Sequence, residues 1–178
     1  EIMSSDWSSD VCSSDLDPMD MIDRYGVDPF RYFLSAEMTL GKDCNFTEEL
    51  FVERYNAELA NDLGNLLNRA VTMIRKHCDS KMPGYNEGGD AEGELRKTAA
   101  ETVAYVEEAL QSLNLDRIIA KVITFVNAVN RYFDSSAPWK LIKADKKDEF
   151  ETVMRTTAES LRIISGLLQP VMPAKMDQ

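Results

Sequence analysis

The feature that most constrains the fold of this chain is the spacing of its apolar residues from Asp17 onward, where every long segment returns to an apolar side chain after three or four positions. Ile118, Ile119, Val122, Ile123, Val126 and Val129 form the broadest such face, and Leu59, Leu63, Leu66, Leu67, Ala70 and Ile74 form another. That period gathers side chains on one side of an α-helix, whereas a half-buried strand alternates every second residue. The punctuation agrees. Asp17-Pro18 and Asp28-Pro29 each place a capping carboxylate before a proline suited to the first helical position, and Gly26 closes the short helix between them. Thr47, with Glu48 and Glu49, opens a long helix toward Cys78. Gly64 inside that helix costs about 1 kcal/mol against alanine and points to close packing. Pro83-Gly84 and Gly88-Gly89 mark a loop, after which Asp90 or Gly93 begins a third long helix reaching about Ser112. Asn114 or Asp116 begins a fourth, which Pro138 ends or redirects. A short Trp139–Lys143 turn and a last helix from about Asp148 to Leu168 complete the pattern. The expected architecture is all-α, a helical bundle.

Composition removes several function classes. No run of about 20 apolar residues is present, so no membrane span and no membrane partner are expected. The only histidine is His77, and Cys12, Cys44 and Cys78 lack paired or C-x-x-C spacing. Metal sites, disulfide frameworks and histidine-based triads are therefore not expected, and a reducing, cytoplasmic setting is the default. With 31 Asp and Glu against 20 Lys and Arg, the net charge is −11. Such a chain does not coat DNA or RNA indiscriminately, so any nucleic-acid contact has to be made by a local face.

Residues 1–16 differ from the rest. Ser-Ser-Asp occurs three times there without an apolar period, and the segment has neither the basic start nor the apolar core of a secretion signal. Asp6 to Leu16 resembles the translation of a common sequencing adapter. The segment is accordingly expected to be artefactual and disordered, with no function for Trp7 or Cys12.

Candidate binding residues lie in two helical regions. Asn65 and Arg69 are four apart and share a helix face, setting an amide donor and acceptor beside a planar guanidinium. Such a pair fits the edge of an unpaired base and equally fits a solvated surface. Trp139 offers either a stacking platform or a core anchor. Asn61 extends the Asn65 and Arg69 strip by a further four residues. Asn56, Asn61, Asn68, Asn127 and Asn130 sit in helices, where asparagine is disfavoured, and most are expected to make interhelical hydrogen bonds. Possible phosphate contacts are Arg131, Lys140 and Lys143, with Lys146 and Lys147 nearby. Arg75, Lys76 and Lys81 form a second basic group that would equally complement a helix terminus. His77 and Cys78 are expected only to cap and pack.

The longer motifs resemble a known family. Asp17-Pro18 and the run from Tyr25 to Leu34 (YGVDPFRYFL) resemble the stretch after the Lys-Met-Ser-Lys-Ser loop of class Ia aminoacyl-tRNA synthetases. Residues 56–69 (NAELANDLGNLLNR) resemble the first long helix of the methionyl-tRNA synthetase anticodon-binding domain. Asn130-Arg131-Tyr132-Phe133, Ala137-Pro138-Trp139-Lys140 and the run from Leu167 to Pro173 (LLQPVMP) resemble its later signatures. The resemblance covers essentially all of 17–178. It implies connective helices over 17–46, an anticodon-binding bundle over 47–178, and contact of Asn65, Arg69 and Trp139 with the CAU anticodon of methionine tRNA. It further implies a parent enzyme that charges tRNA with methionine using ATP. The His-Ile-Gly-His type sequence and the Lys-Met-Ser-Lys-Ser loop are absent here, so this chain is expected to hold no ATP, metal or catalytic residue of its own and to be inactive without the parent's catalytic domain. Gln178 falls inside the family's final helix, so incomplete C-terminal packing is expected. The alternatives are the sister domain of a valine, leucine or isoleucine enzyme, or a generic helical interaction domain. The Gly64-Asn65…Arg69 and Pro138-Trp139 combination weighs against the sister enzymes.

Overall fold

A computed structural model of the chain describes residues 17–39, 46–84 and 87–177. The expectations for residues 1–16, and Cys44, lie outside them. Among the described residues the regular structure is helical: α1 (Pro18–Tyr25), α2 (Val27–Glu37), α3 (Glu48–Arg54), a π-helical segment (Tyr55–Gly64), α4 (Asn65–His77), α5 (Asp90–Leu110), α6 (Leu115–Ser136), α7 (Pro138–Lys143), α8 (Lys147–Leu168) and α9 (Pro173–Met176). α3, the π segment and α4 run on without a break as the long helix that Thr47 was expected to open.

Local chemistry sets most of the boundaries. The Asp17 carboxylate accepts from the Met19 N–H at 2.8 Å, with Pro18 in the first turn, and Thr47 Oγ1 accepts from Leu50 N–H at 3.2 Å. Gly26 ends α1 at φ 90°, a left-handed conformation that favours glycine. Asp28 departs from expectation. It lies inside α2, which Gly26 precedes without a side-chain cap, and its buried Oδ2 accepts instead from the Lys175 N–H at 2.6 Å, holding α9 across 147 positions of sequence. Arg31 reinforces this closure by donating to the Pro170 and Val171 carbonyls.

α6 is the central helix, touching α2, α5, α8 and the π segment. All six residues of its expected apolar face are buried, and they join Leu66, Ala70, Leu95, Met154 and Ile164 in the main core. A smaller core holds Met21, Phe30, Phe33 and Phe51. The two cores do not part at residue 46/47, because Tyr32 and Ala36 of α2 belong to the main core while Phe51 of α3 belongs to the small one. Leu67 is a second departure: it is 49% exposed, at the margin of the stripe formed by Leu63, Leu66 and Ala70. Gly64 is a third. A Cβ there would meet no neighbouring helix, only the Leu59 carbonyl of its own segment at 3.0 Å, so the tightness lies within the π turn.

Candidate nucleic-acid interface

At the C-terminal end of α6, Ala137 takes φ 43°, and Pro138 starts α7 in a new direction. The redirection carries Trp139 to the corner of the bundle with 39% of its surface exposed, so it is no core anchor. Phe133, one helical turn earlier on the inner side, is fully buried, and the two ring centroids are 6.4 Å apart at 51°. Arg69 reaches this corner from α4. Its guanidinium carbon sits 4.7 Å from the Phe133 centroid and 5.8 Å from that of Trp139, and Nη2 donates to Asp134 Oδ1 at 2.5 Å. An ion pair this open to water adds little stability. Together with the ring faces, however, it fixes the plane of the guanidinium. Asn65 is exposed one turn before Arg69, and Asn61 is exposed a further four residues back, within the π segment.

The structure therefore brings Arg69 and Trp139, seventy positions apart, into one surface with Asn65 beside them. An exposed indole, a stacked cation and a free amide suit an unstacked base, which needs a flat partner for its face and hydrogen-bonding groups for its edge. Arg131, Lys140 and Lys143 are exposed on the flanking turns of α6 and α7. Lys146 and Lys147 are instead drawn into pairs with Glu149 and Glu151. Both also line a cavity of about 170 Å³ with His77, Asp145 and Phe150, and the His77 ring meets Phe150 edge-on at 5.8 Å. Asp134 and Phe133 were given no role by sequence reasoning. An acidic residue on an exposed helix turn carries no signal until the helix that faces it is known.

Of the five asparagines expected to bridge helices, Asn130 does so, donating to the Asp62 carbonyl at 3.0 Å. Asn56, Asn61 and Asn68 face solvent instead. The corner is backed by a second polar link. The Tyr132 hydroxyl donates to Glu92 Oε1 at 2.6 Å, and Glu92 Oε2 accepts from the Gly89 N–H at 2.6 Å, tying the start of α5 to α6. Burial pushes the Glu92 carboxyl up, but the Tyr132 hydroxyl, the backbone N–H bonds and nearby Arg96 outweigh it and hold the carboxyl below its ordinary range. Burial and the same bond push the Tyr132 hydroxyl well above the usual range of a phenol. Among the described residues no group of three or more His, Cys, Asp or Glu is arranged to hold a metal ion, and no helix is long and apolar enough to cross a membrane.

Residues 92–177 match the family described as the anticodon-binding domain of tRNA ligase, and residues 9–71 match class I tRNA synthetases of the M group. The methionine–tRNA ligase of Enterococcus faecalis is 46% identical over 157 residues, which cover 87% of this chain and 24% of that protein. The chain belongs to the methionyl-tRNA synthetase family. The Bacillus subtilis methionine–tRNA ligase is 43% identical over 167 residues, 90% of this chain and 25% of that protein. The crystal structure of free-state Mycobacterium tuberculosis methionyl-tRNA synthetase has a TM-score of 0.87 at 34% identity, over 92% of this chain and 34% of that one. The chain thus spans about a quarter of the length of the curated relatives it matches. It is a fragment carrying the helical anticodon-binding domain of the methionyl-tRNA synthetase fold, and the sister-enzyme and generic-bundle alternatives give way to that assignment.

Proposed function

We propose that this chain is the specificity module of a methionine–tRNA ligase, reading the CAU anticodon of initiator and elongator methionine tRNAs through Asn65, Arg69 and Trp139. Arg131, Lys140 and Lys143 meet the flanking phosphates. The reaction itself, ATP-dependent charging of tRNA with methionine, belongs to the parent enzyme in the cytoplasm and to the catalytic domain joined to this one. The observation that supports this reading best is the corner itself: Arg69 lies over Phe133 and Trp139, the indole stays accessible, and Asn65 stands one turn away. Stacking a base on an aromatic ring is worth about 1–3 kcal/mol, so Trp139→Ala is expected to weaken binding of a CAU stem-loop roughly ten- to a hundredfold. Asn65→Ala and Arg69→Ala are expected to cost less affinity and to erase the preference for CAU over a loop with a changed first base, since phosphate contacts persist. Titrating both loops by fluorescence anisotropy checks this. A folded Trp139→Ala protein whose affinity stays within twofold of the parent would exclude the corner as the reading surface.

A further inference from the structure

The long helix changes its hydrogen bonding over Tyr55–Gly64, where rings close through five residues instead of four. It returns to α geometry at Asn65, whose N–H still bonds the Ala60 carbonyl. A π stretch turns the chain less per residue than an α-helix does. Its extent therefore fixes how side chains before it are rotated about the axis relative to those after it. Asn61 lies inside the stretch, and Asn65 and Arg69 lie just beyond it. Long π segments are rare and need support from outside the helix.

That support comes from one face of α6. Asn130, Phe133 and Asp134 are related by three- and four-residue steps, so they point the same way. Phe133 and Asp134 hold Arg69. The Asn130 side-chain amide uses its two N–H groups on the Val126 carbonyl of its own helix, at 3.3 Å, and on the Asp62 carbonyl, at 3.0 Å. It thus grips the π segment three residues before Asn65. Within the segment, Gly64 leaves the Leu59 carbonyl the room it needs, since a Cβ would stand 3.0 Å from that oxygen.

We infer that Asn130 is a positioning residue for base recognition: by gripping the Asp62 carbonyl it holds Tyr55–Gly64 in its π form and so sets the rotation at which α4 presents Asn65 and Arg69 at the Trp139 corner. Asn130 touches no base itself. The inference rests on the anticodon reading proposed above and extends it to the backbone that carries the readers. Should the segment relax to α geometry, α4 turns about its axis relative to the part of the long helix before it, Asn65 shifts from its place beside the Trp139 corner, and recognition loses alignment while stacking on Trp139 and phosphate contacts remain.

The test uses the full chain with Asn130→Asp, which keeps the size of the side chain but turns a carboxylate toward two carbonyls, and with the neutral Asn130→Leu. Two stem-loops, CAU and one with a changed first base, are titrated, and amide hydrogen exchange over residues 59–67 is measured without RNA. The parent chain must prefer CAU; if it does not, the anticodon reading itself falls, whatever Asn130 does. Given that preference, both variants are expected to lose it at least tenfold, to keep their helical circular dichroism and their residual salt-dependent binding of both loops, and to exchange the 59–67 amides at least tenfold faster. Unchanged preference in the folded variants overturns the inference, whether or not exchange accelerates. If both variants unfold, Gly64→Ala presses on the same segment from within: lost preference in a folded Gly64→Ala protein supports the positioning role, and retained preference overturns it.

Discussion

Arg69 is held by two ring faces and a carboxylate without being buried, so on the proposed reading its replacement is expected to act on recognition more than on folding. Lys143 has a simpler part. It is exposed on α7 beside Trp139, and in the proposed interface its charge would meet a phosphate wherever the base sequence leads. Lys143→Ala is expected to weaken every loop alike and to reduce the slope of log affinity against log salt by about 0.7, the increment for one phosphate contact on a single strand. Affinities at four or five salt concentrations measure that slope. Asp28 is the opposite case, a buried carboxylate whose partner is a backbone N–H at the start of α9. Asp28→Ala removes the acceptor and is expected to cost about 1–2 kcal/mol in urea denaturation. Asp28→Asn, which keeps an acceptor oxygen, should cost less.

At the scale of single elements, the start of α5 shows how a cap doubles as a tertiary link. Gly88, at φ 70°, brings the chain so close to Glu92 that an added Cβ would stand 2.6 Å from its Cγ. This leaves Glu92 free to take the Gly89 N–H on one oxygen and the Tyr132 hydroxyl on the other. Because the folded protein holds this carboxyl below its ordinary pKa, its contribution is fully present above the unfolded value of about 4.3 and is lost as pH falls through the lower folded value. Glu92→Gln is therefore expected to destabilise the protein by about 1 kcal/mol at pH 7, the usual worth of a helix cap, with the difference shrinking below pH 4. Thermal melts of the two proteins across pH 3–7 decide it. The long helix makes a different point, because its apolar spacing is continuous from Leu59 to Ile74 while its backbone is not. The π stretch is stabilised by contacts with α6 that no local propensity encodes.

At the scale of the whole molecule, two cores share their helices. α2 gives Phe30 and Phe33 to the small core and Tyr32 to the main one, where the Tyr32 hydroxyl donates to Glu58 at 2.7 Å. Arg54 spans the same junction, bonded to Glu37 of α2 and to Glu58 of the π segment. Among the described residues the small core has four buried side chains with a partly exposed rim, which is too little to persist alone. The chain is thus expected to unfold in a single transition, with urea midpoints from far-ultraviolet circular dichroism and from Trp139 fluorescence coinciding in a Trp7→Phe background. Separated midpoints would show that α1–α3 melts independently of the bundle.

The sequence by itself determined the class of fold, the number and order of the long helices, and which face of α6 is buried. Those properties follow from a local period and from Asp17, Gly26, Thr47 and Pro138, whose effects reach only a few residues along the chain. It also singled out Asn65, Arg69 and Trp139, through spacing on one helix and through motif resemblance. Only the tertiary structure decided that Arg69 and Trp139 meet. The approach of α4 to α6 and the redirection at Ala137 together set that distance, and neither is written in a window of neighbouring residues. The same holds for Asp28, whose proline neighbour signals a cap while its carboxylate answers an N–H from the far end of the chain, and for Asp134 and Asn130, whose partners lie more than sixty positions away. A polar side chain has many local partners open to it, and packing of the apolar faces selects the one it takes.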